Sequence, residues 1–556
     1  MVNENSILKI IKRHLNFWNI VKYISILLLL IFLVYPLFAI IIRSFVGGEG
    51  AFTMKYYKTF FTKAYYYRTL FNSIKVCVVT TILAVVVGVP LAYITARFNI
   101  FWKKAINILI IMSLMSPPFI GAYSWIMLLG RNGVITNLFE KIGITLPPIY
   151  GFGGIIMVFT LKLFPYVYLY VSGAMSSIDR SLEEAAENLG SSKLRRIFTV
   201  TMPVIMPTLA AGAIMVFMTS LADFGTPMLI GEGYKVLPVL VYEEYMSEMG
   251  GNANMAGALS VIIVFCSTAV LLIQRYVISK KSYTMTAMRP PIIEKLPMAK
   301  RILLTAVSMF IALVAFLPQI VVIITSFIKT NGPIFVKGFS LESYEKIFYK
   351  LSKNIANTFT FSIIAIIIII IFGMLLSYLI VKRKSKINSL LDLLIMFPYV
   401  IPGAVLGICM LVAFNKPPLI LSGTSAILII AYVIRKMPYT IRSSSALLYQ
   451  IEPSIEEASI NLGVSPMKTF FKITARMMAP GVLSGAILSW ITTINELSSS
   501  IMLYGGKTAT ISVAIYTEVV RSSFGTAAAL ASILTVTTIL SLLLFNWVSK
   551  GKVSVI

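Results

Sequence analysis

The sequence predicts an all-α polytopic membrane protein of about twelve transmembrane helices, built as two parallel six-helix repeats. The chain of 556 residues is 58% hydrophobic, only 12% charged and has a mean hydropathy of +0.89, which is more apolar than a soluble core requires. Apolar runs of about 20 residues recur along it, and each is long enough to cross a hydrocarbon layer as a helix. One polar segment also occurs twice, with the copies separated by about half the chain.

The apolar runs place six spans in each half of the chain. The spans of the first half are predicted at 21–43, 72–96, 105–129, 152–175, 204–222 and 256–278. Those of the second half are predicted at 302–327, 358–381, 388–413, 422–441, 477–495 and 525–548. The halves themselves are 1–278 and 302–556, and the linker 279–301 between them is expected to act as a tether.

The duplicated segment lies at 184–190 in the first half and at 457–463 in the second. The two copies read E-A-A-E-N-L-G and E-A-S-I-N-L-G, and their final glycines are 463 − 190 = 273 residues apart. Gly88 and Gly373, and also Tyr242 and Tyr516, recur at a similar offset. Two homologous halves with an even number of spans run in the same direction, so they form a parallel repeat about an axis along the membrane normal.

The 48 Lys and Arg residues indicate the orientation of the chain, because basic residues near span ends are retained on the cytoplasmic side. Their distribution predicts cytoplasmic N- and C-termini. It also places both copies of the duplicated segment in the cytoplasm, between the fourth and fifth spans of their halves. The chain is expected to be a multi-pass membrane protein, and the family resemblance described below implies a bacterial inner or plasma membrane.

Each copy of the duplicated segment has the signals of a short helix with defined ends. Ser181 and Ser454 are candidate N-caps, each with a glutamate three residues further on, which makes a capping box. Gly190 and Gly463 then end the helix, since the left-handed conformation of a helix stop favours glycine. A second short amphipathic helix is expected after each glycine. The sequence therefore predicts a helix–turn–helix knuckle in each half.

Several classes of function are excluded by what the sequence lacks. His14 is the one histidine, and the three cysteines all lie in apolar spans, so no histidine-ligated metal, disulfide framework or catalytic triad is expected. The basic residues are spread over short loops without an interleaved aromatic stripe, which argues against nucleic acid. The sequence therefore shows no catalytic constellation, and we do not expect the chain to be an enzyme.

A run that resembles a phosphate-binding loop is interpreted as a turn. The run reads Gly505-Gly506-Lys507-Thr508, but Ile501 stands where such a loop needs a glycine. We therefore expect the chain itself to bind no ATP and no other cofactor.

The two knuckles resemble the signature loops of the type I permease family of ATP-binding-cassette (ABC) importers. That signature reads E-A-A, three residues, then glycine, in a cytoplasmic loop, and the resemblance covers essentially the whole chain through its repeat, span count and loop position. The second copy departs from it with Ser459 for the second alanine, and with Arg476 where the first copy has Pro203. The resemblance implies the type I ABC permease fold, with loops at 181–203 and 454–476.

In this family each loop forms a coupling helix that seats in a groove of a cytoplasmic ATPase. The resemblance therefore implies an ATPase dimer as partner, a substrate-binding protein outside the membrane, and ATP hydrolysis by that separate ATPase. The residues implied in coupling are Glu183, Glu184, Ala185, Ala186 and Gly190 in the first copy, and Glu456, Glu457, Ala458, Ser459 and Gly463 in the second.

Four acidic residues near predicted spans are candidates for the translocation path, because ionisable groups are costly there. They form two repeat-related pairs, Asp223 with Glu496 and Glu244 with Glu518. One interpretation is that these oxygens meet a hard cation. The other is that each carboxylate caps a helix or holds an outer turn, and that duplication explains the symmetry. Lys162, in the fourth span, has no evident partner in the sequence.

Two further runs narrow the resemblance. The run Ala222-Asp223-Phe224-Gly225-Thr226-Pro227-Met228-Leu229-Ile230-Gly231 and the run Asn495-Glu496-Leu497-Ser498-Ser499 look most like ferric-iron importers. Importers of polyamine, thiamine or aminoethylphosphonate in the same family share the layout and remain alternatives. A 6+6 ion-coupled secondary transporter is the alternative from a different class, but it gives no reason for a duplicated docking loop.

Overall fold

The structure is a computed structural model that describes residues 16–47, 50–114, 116–117, 119–176, 178–246, 251–280, 293–332, 334–383 and 385–548. Helices dominate these residues, which confirms the predicted all-α class. Among them, the strands Ile328–Asn331 and Ile334–Phe339 pair in an antiparallel hairpin.

The chain folds into two compact units, and each unit takes segments from both halves of the sequence. The first unit comprises the described residues of Ser44–Ile347 and Ile515–Thr535, and the second comprises the described residues of Met1–Arg43, Phe348–Ala514 and Val536–Ile556. The N-terminal helix Phe17–Leu29 thus belongs with second-half helices, and Met298–Thr325 belongs with first-half helices.

The helices of the first unit follow the predicted first-half spans and the segments between them. They are Lys55–Thr62, Ala64–Arg97, Lys103–Leu114, Ile120–Leu129, Val134–Glu140, Phe152–Ser176, Arg180–Asn188, Lys193–Arg196, Met202–Ala222, Gly225–Ile230, Leu237–Met246, Ala253–Lys280, Met298–Thr325 and Glu342–Lys346, with a π-helical turn at Ile197–Thr201.

The second unit repeats much of this order. Its helices are Phe17–Leu29, Tyr35–Ser44, Ser352–Lys382, Lys386–Val400, Gly403–Ala413, Ser425–Leu448, Pro453–Asn461, Pro466–Thr469, Ala475–Ile494 and Ser500–Leu503, with π-helical turns at Leu30–Val34, Ile347–Leu351 and Phe470–Thr474. The helices Ile511–Val520 and Phe524–Val548 contribute residues to both units.

Nine helices in the described part of the chain are long and apolar enough to cross a membrane. The third span of each half differs from its prediction, because it is broken. The predicted span 105–129 is divided into Lys103–Leu114 and Ile120–Leu129, and in the predicted span 388–413 the helix Gly403–Ala413 turns by 109° from the one before it. Pro117 and Pro402 lie in these breaks. Proline cannot donate a helical hydrogen bond, and it disfavours the helical conformation of the residue before it.

The predicted span 422–441 also differs in detail. The helix there is Ser425–Leu448, with 24 residues, which is long enough to cross a membrane. It carries Arg435, Lys436 and Arg442, and so it is less apolar than the nine helices. These cations become important at the site described below.

A glycine allows close packing of helices at the same place in both units. A Cβ added at Gly88 would lie 2.9 Å from the Cβ of Val167, and one added at Gly373 would lie 2.9 Å from Cγ2 of Thr440. Such distances are too short for carbon atoms, so any larger residue would push the helices apart. The second and fourth spans of each half therefore depend on this glycine for their packing.

Candidate functional site

The knuckle helices begin at residues other than those predicted. The first helix, Arg180–Asn188, starts after Asp179, whose carboxylate accepts the N–H of Ser181 at 2.9 Å. The second starts after Glu452 and has Pro453 at its first position. The predicted capping boxes at Ser181 and Ser454 are therefore wrong. An aspartate N-cap and a proline at the first helical position are equally good helix starts, and each lies upstream of the serine.

Both knuckle helices end at the predicted glycines. Gly190 has φ +78° and Gly463 has φ +85°, which confirms the left-handed helix stop. No atom lies within 4 Å of a Cβ added at either residue. Glycine is needed there for its backbone conformation and not for space, since other residues pay a penalty at positive φ.

Glu183 and Glu456, the glutamates just before the two duplicated segments, contact the membrane-spanning helices. Glu183 lies 2.5 Å from Nη2 of Arg97, at the end of the helix Ala64–Arg97, and it accepts a hydrogen bond from Thr201 at 3.2 Å. The side chain of Arg97 is only 6% exposed. The first knuckle is thus joined by a largely buried ion pair to the end of the second span and by a hydroxyl to the start of the fifth.

The second knuckle has the same connection with neutral partners. Glu456 accepts hydrogen bonds from the hydroxyl of Thr474 at 2.7 Å and from that of Tyr378 at 3.3 Å. Thr474 lies at the position that Thr201 occupies in the first half. Lys382 donates instead to the backbone oxygen of Ile451 at 2.9 Å. The two knuckles therefore have the same shape but different charges at the base.

The second copy has Ser459 where the first copy has Ala186, and the structure explains this difference. In the first knuckle an ion pair of 2.5 Å between Arg196 and Glu187 closes the two short helices on each other. In the second knuckle the residue aligned with Arg196 is Thr469, and its hydroxyl lies 3.0 Å from that of the buried Ser459. A hydroxyl pair thus replaces the ion pair.

The outer face of each knuckle is formed by the remaining predicted residues and one leucine. Glu184 pairs with Arg180 one turn earlier in the helix. Ala185, Ala186, Glu457 and Ala458 are exposed or half-buried. Leu189 is 86% exposed, and Leu462, its equivalent, is 85% exposed. The sequence interpretation assigned these leucines no role, although an apolar residue in the same place of two polar segments was a usable signal.

The linker lies against the first knuckle. The carboxylate of Glu294 pairs with Lys193 at 2.6 Å. The backbone N–H of Glu294 donates to the backbone oxygen of Arg97 at 2.8 Å, and its backbone oxygen accepts the N–H of Asn99 at 3.2 Å. The linker was expected to be a tether. Its described part, 293–301, has a fixed place beside the first loop.

Lys162 has a partner that the sequence interpretation missed. Its Nζ lies 2.8 Å from Oδ2 of Asp223, while Oδ1 of Asp223 accepts the N–H of Thr226 at 3.0 Å. The carboxylate therefore caps the short helix Gly225–Ile230 and neutralises a lysine within a span. The signal was available, because Arg435 lies 273 positions after Lys162, at the offset that relates Asp223 to Glu496.

Glu496 is held by more donors than Asp223. Its Oε1 accepts from Nη1 of Arg435 and from the N–H and hydroxyl of Ser499, both at 3.1 Å. Its Oε2 lies 2.5 Å from Nζ of Lys436. The first half has the buried Leu163 where the second has Lys436. Both carboxylates thus have the geometry of a helix cap joined to an ion pair.

The second pair of candidate carboxylates, Glu244 and Glu518, has fewer contacts than the first. Glu244 accepts a hydrogen bond from Tyr66 at 2.9 Å, and Glu518 lies 3.5 Å from Arg521. The hydroxyls of Tyr242 and Tyr516, which neighbour these residues in sequence, lie 3.5 Å apart. In the described part of the chain, no group of three or more His, Cys, Asp or Glu side chains could hold a metal ion.

These features define a class of protein: a multi-pass membrane transport component built from two fused repeats, each with one docking loop. The comparison with known families agrees. The family model of the binding-protein-dependent transport system inner membrane component matches residues 88–283 and 369–553. The chain belongs to this family, which confirms the resemblance drawn from the duplicated segment and decides against the ion-coupled secondary transporter.

The chain is also similar to individual curated proteins. It is 27% identical to the ferric transport system permease protein FbpB of Actinobacillus pleuropneumoniae, over 94% of this chain and 77% of the relative. It is 24% identical to the Fe(3+)-transport system permease protein FbpB 2 of Haemophilus influenzae, over 80% of this chain and 83% of the relative. The molybdenum transport system permease protein ModB of Mycobacterium tuberculosis is 28% identical over 36% of this chain and 76% of the relative.

Proposed function

We propose that the chain is the membrane permease of an ATP-driven importer of ferric iron, with both termini in the cytoplasm of a bacterial cell. The observation that carries this proposal is the similarity to the ferric permease FbpB over 94% of the chain, which includes both halves. The molybdenum permease covers only 36% of it. A match across both halves includes both knuckles and all four acidic residues of the candidate path.

The partners in this proposal are a cytoplasmic ATPase dimer and an outer substrate-binding protein. Each knuckle seats in one ATPase, and the exposed Leu189 and Leu462 supply the apolar contact at the centre of each interface. ATP is hydrolysed by the ATPase, and the permease binds no cofactor of its own.

The contacts of the first knuckle support a lever mechanism. A movement of the helix Arg180–Asn188 pulls on Arg97 through Glu183 and on Thr201 through the same carboxylate. These two residues belong to the helix Ala64–Arg97 and to the turn before Met202–Ala222. Closure of the ATPases therefore moves two spans together, as a rigid-body change between inward- and outward-facing states.

The substrate is tested by competition in the reconstituted importer. Proteoliposomes are prepared with the permease, its ATPase and its binding protein, and ATP-dependent uptake of radiolabelled ferric iron is measured with excess molybdate or spermidine. We expect iron uptake that neither competitor reduces. ATP-dependent uptake of radiolabelled molybdate or spermidine, measured in parallel, without uptake of iron would overturn the proposal for iron, while leaving the importer mechanism intact.

A further inference from the structure

The cluster around Glu496 contains one more positive charge than its counterpart in the first half. Arg435 and Lys436 both contact the single carboxylate of Glu496, and their side chains are 15% and 9% exposed. In the first half, Lys162 contacts Asp223 and the neighbouring position is the buried Leu163. The first cluster is neutral by formal charge, and the second carries +1.

An excess charge among largely buried side chains needs an explanation. Burial of a cation without a counter-ion is unfavourable in protein and more so in a membrane, where such residues mark substrate pathways. Leu163 shows that the same position in this fold accepts an apolar side chain. Lys436 is therefore not required by the packing, and its charge points to an anion that is absent from the chain itself.

The guanidinium of Arg435 lies beside the first residue of the helix that follows the break in the third span of the second half. A Cβ added at Gly403 would lie 2.8 Å from Cζ of Arg435 and 2.7 Å from Cβ of Ser498. Gly403 is the first residue of the helix Gly403–Ala413, which has 11 residues. The N-terminus of a helix is its positive end, and discontinuous spans direct such ends at anionic substrate groups.

Arg435 also has unused hydrogen-bonding capacity. Its Nε is buried and has no hydrogen-bond partner within the described residues. A guanidinium can bind a carboxylate or phosphate through two parallel N–H bonds, and only one bond from Arg435, to Glu496, is accounted for. The side chain is thus positioned to bind a second anionic oxygen group.

We propose that Arg435, Lys436 and the helix start at Gly403 form a binding site for an anionic oxygen ligand of the substrate. This inference rests on the proposed function. Ferric iron then crosses the membrane as a complex with a carboxylate or phosphate anion, and not as a bare ion. The described residues offer no metal-binding group of three or more His, Cys, Asp or Glu side chains, and the anion in this proposal supplies oxygen ligands to the iron during passage.

The test follows the anion and the metal together. The complete importer is reconstituted in proteoliposomes, and radiolabelled ferric iron is supplied either with labelled citrate or with labelled phosphate, with no other multivalent anion present. We expect one of these anions to enter with iron in a constant ratio. Entry of iron without either label would overturn the inference alone, and no iron entry in either arm would overturn the proposed function.

Variants of Lys436 link this result to the cluster. K436L restores the residue found in the first half and should reduce uptake of iron and anion together at least tenfold, while K436R should keep at least half. K75L is the matched control, because Lys75 is an exposed lysine of another span that lies over the ring of Phe152. Uptake of iron and anion by K75L should equal that of the unchanged protein. Elution as a single species in size-exclusion chromatography establishes that each variant folds, and unchanged co-uptake in a folded K436L would overturn the assignment.

Discussion

Lys162 and Asp223 form an ion pair of 2.8 Å between residues 61 positions apart, and Arg435 and Glu496 form the same pair at the same separation in the second half. Each pair joins the fourth span of its half to the break that follows the fifth span. The carboxylate also caps the short helix after that break, through Thr226 in the first half and Ser499 in the second. The duplication has thus preserved a charged connection inside the membrane protein.

The first prediction concerns this connection. D223N leaves Lys162 without a counter-ion in a largely buried place, and breaking such a pair costs about 3 kcal/mol. The variant should unfold at a clearly lower temperature in detergent, as followed by intrinsic fluorescence. The double variant K162M/D223N should recover much of the loss, because it removes the unpaired charge. Equal melting temperatures for D223N and the unchanged protein would contradict this role.

The second prediction concerns the helix stops. G190A and G463A each force a Cβ into a positive-φ conformation at a cost of about 1 kcal/mol. The knuckle should then change shape, and the double variant should lose both transport and ATPase association while still inserting in the membrane. Pull-down of the ATPase with the tagged permease measures this. G143A is the matched control, since Gly143 has φ +78° and open space outside both knuckles. Retention of the ATPase by G190A/G463A would count against the docking role.

The third prediction concerns the exposed leucines. If Leu189 and Leu462 are buried by the ATPase, the variant L189A should weaken binding by about 2 kcal/mol, which is roughly 30-fold. L462A should have a similar effect. L138A truncates a leucine that is 58% exposed in another segment and should leave binding unchanged. Titration of the purified ATPase onto immobilised permease gives the dissociation constants. A dissociation constant for L189A equal to that of L138A would remove this leucine from the interface.

The fourth prediction concerns the difference between the knuckles. E183Q removes a carboxylate from the nearly buried Arg97 and should weaken the attachment of the first knuckle to the spans by about 2 kcal/mol. E456Q loses only bonds to neutral hydroxyls and should weaken the attachment of the second knuckle by about 1 kcal/mol. Transport per ATP hydrolysed should therefore fall further in E183Q. The ratio of iron uptake to phosphate release in proteoliposomes measures this coupling. Equal losses in the two variants would show that the charge at the base does not distinguish the loops.

The repeat made much of the fold predictable from the sequence. The apolar runs indicate the spans, and the recurrence of E-A-x-x-N-L-G fixes the two loops and their glycine stops at Gly190 and Gly463. The breaks near Pro117 and Pro402 were missed, because apolar residues continue on both sides of them. The caps at Asp179 and Glu452 were missed because serine, aspartate and proline are all suitable helix starts within a few residues.

The candidate site was less predictable. Asp223 and Glu496 stood out as ionisable residues, but their cationic partners lie 61 residues earlier in the chain. No local pattern indicates a pair at that separation, and only the repeat offset applied to Lys162 would have pointed to Arg435. The extra charge of Lys436 becomes meaningful only beside Leu163, its aligned but apolar counterpart.

The most direct test of the central claim is uptake of radiolabelled ferric iron into proteoliposomes that contain the permease, its ATPase and its binding protein. We predict uptake that requires ATP and all three components, is insensitive to uncouplers, and is lost in G190A/G463A. Iron uptake by the permease alone, driven by an ion gradient without ATP, would contradict the account.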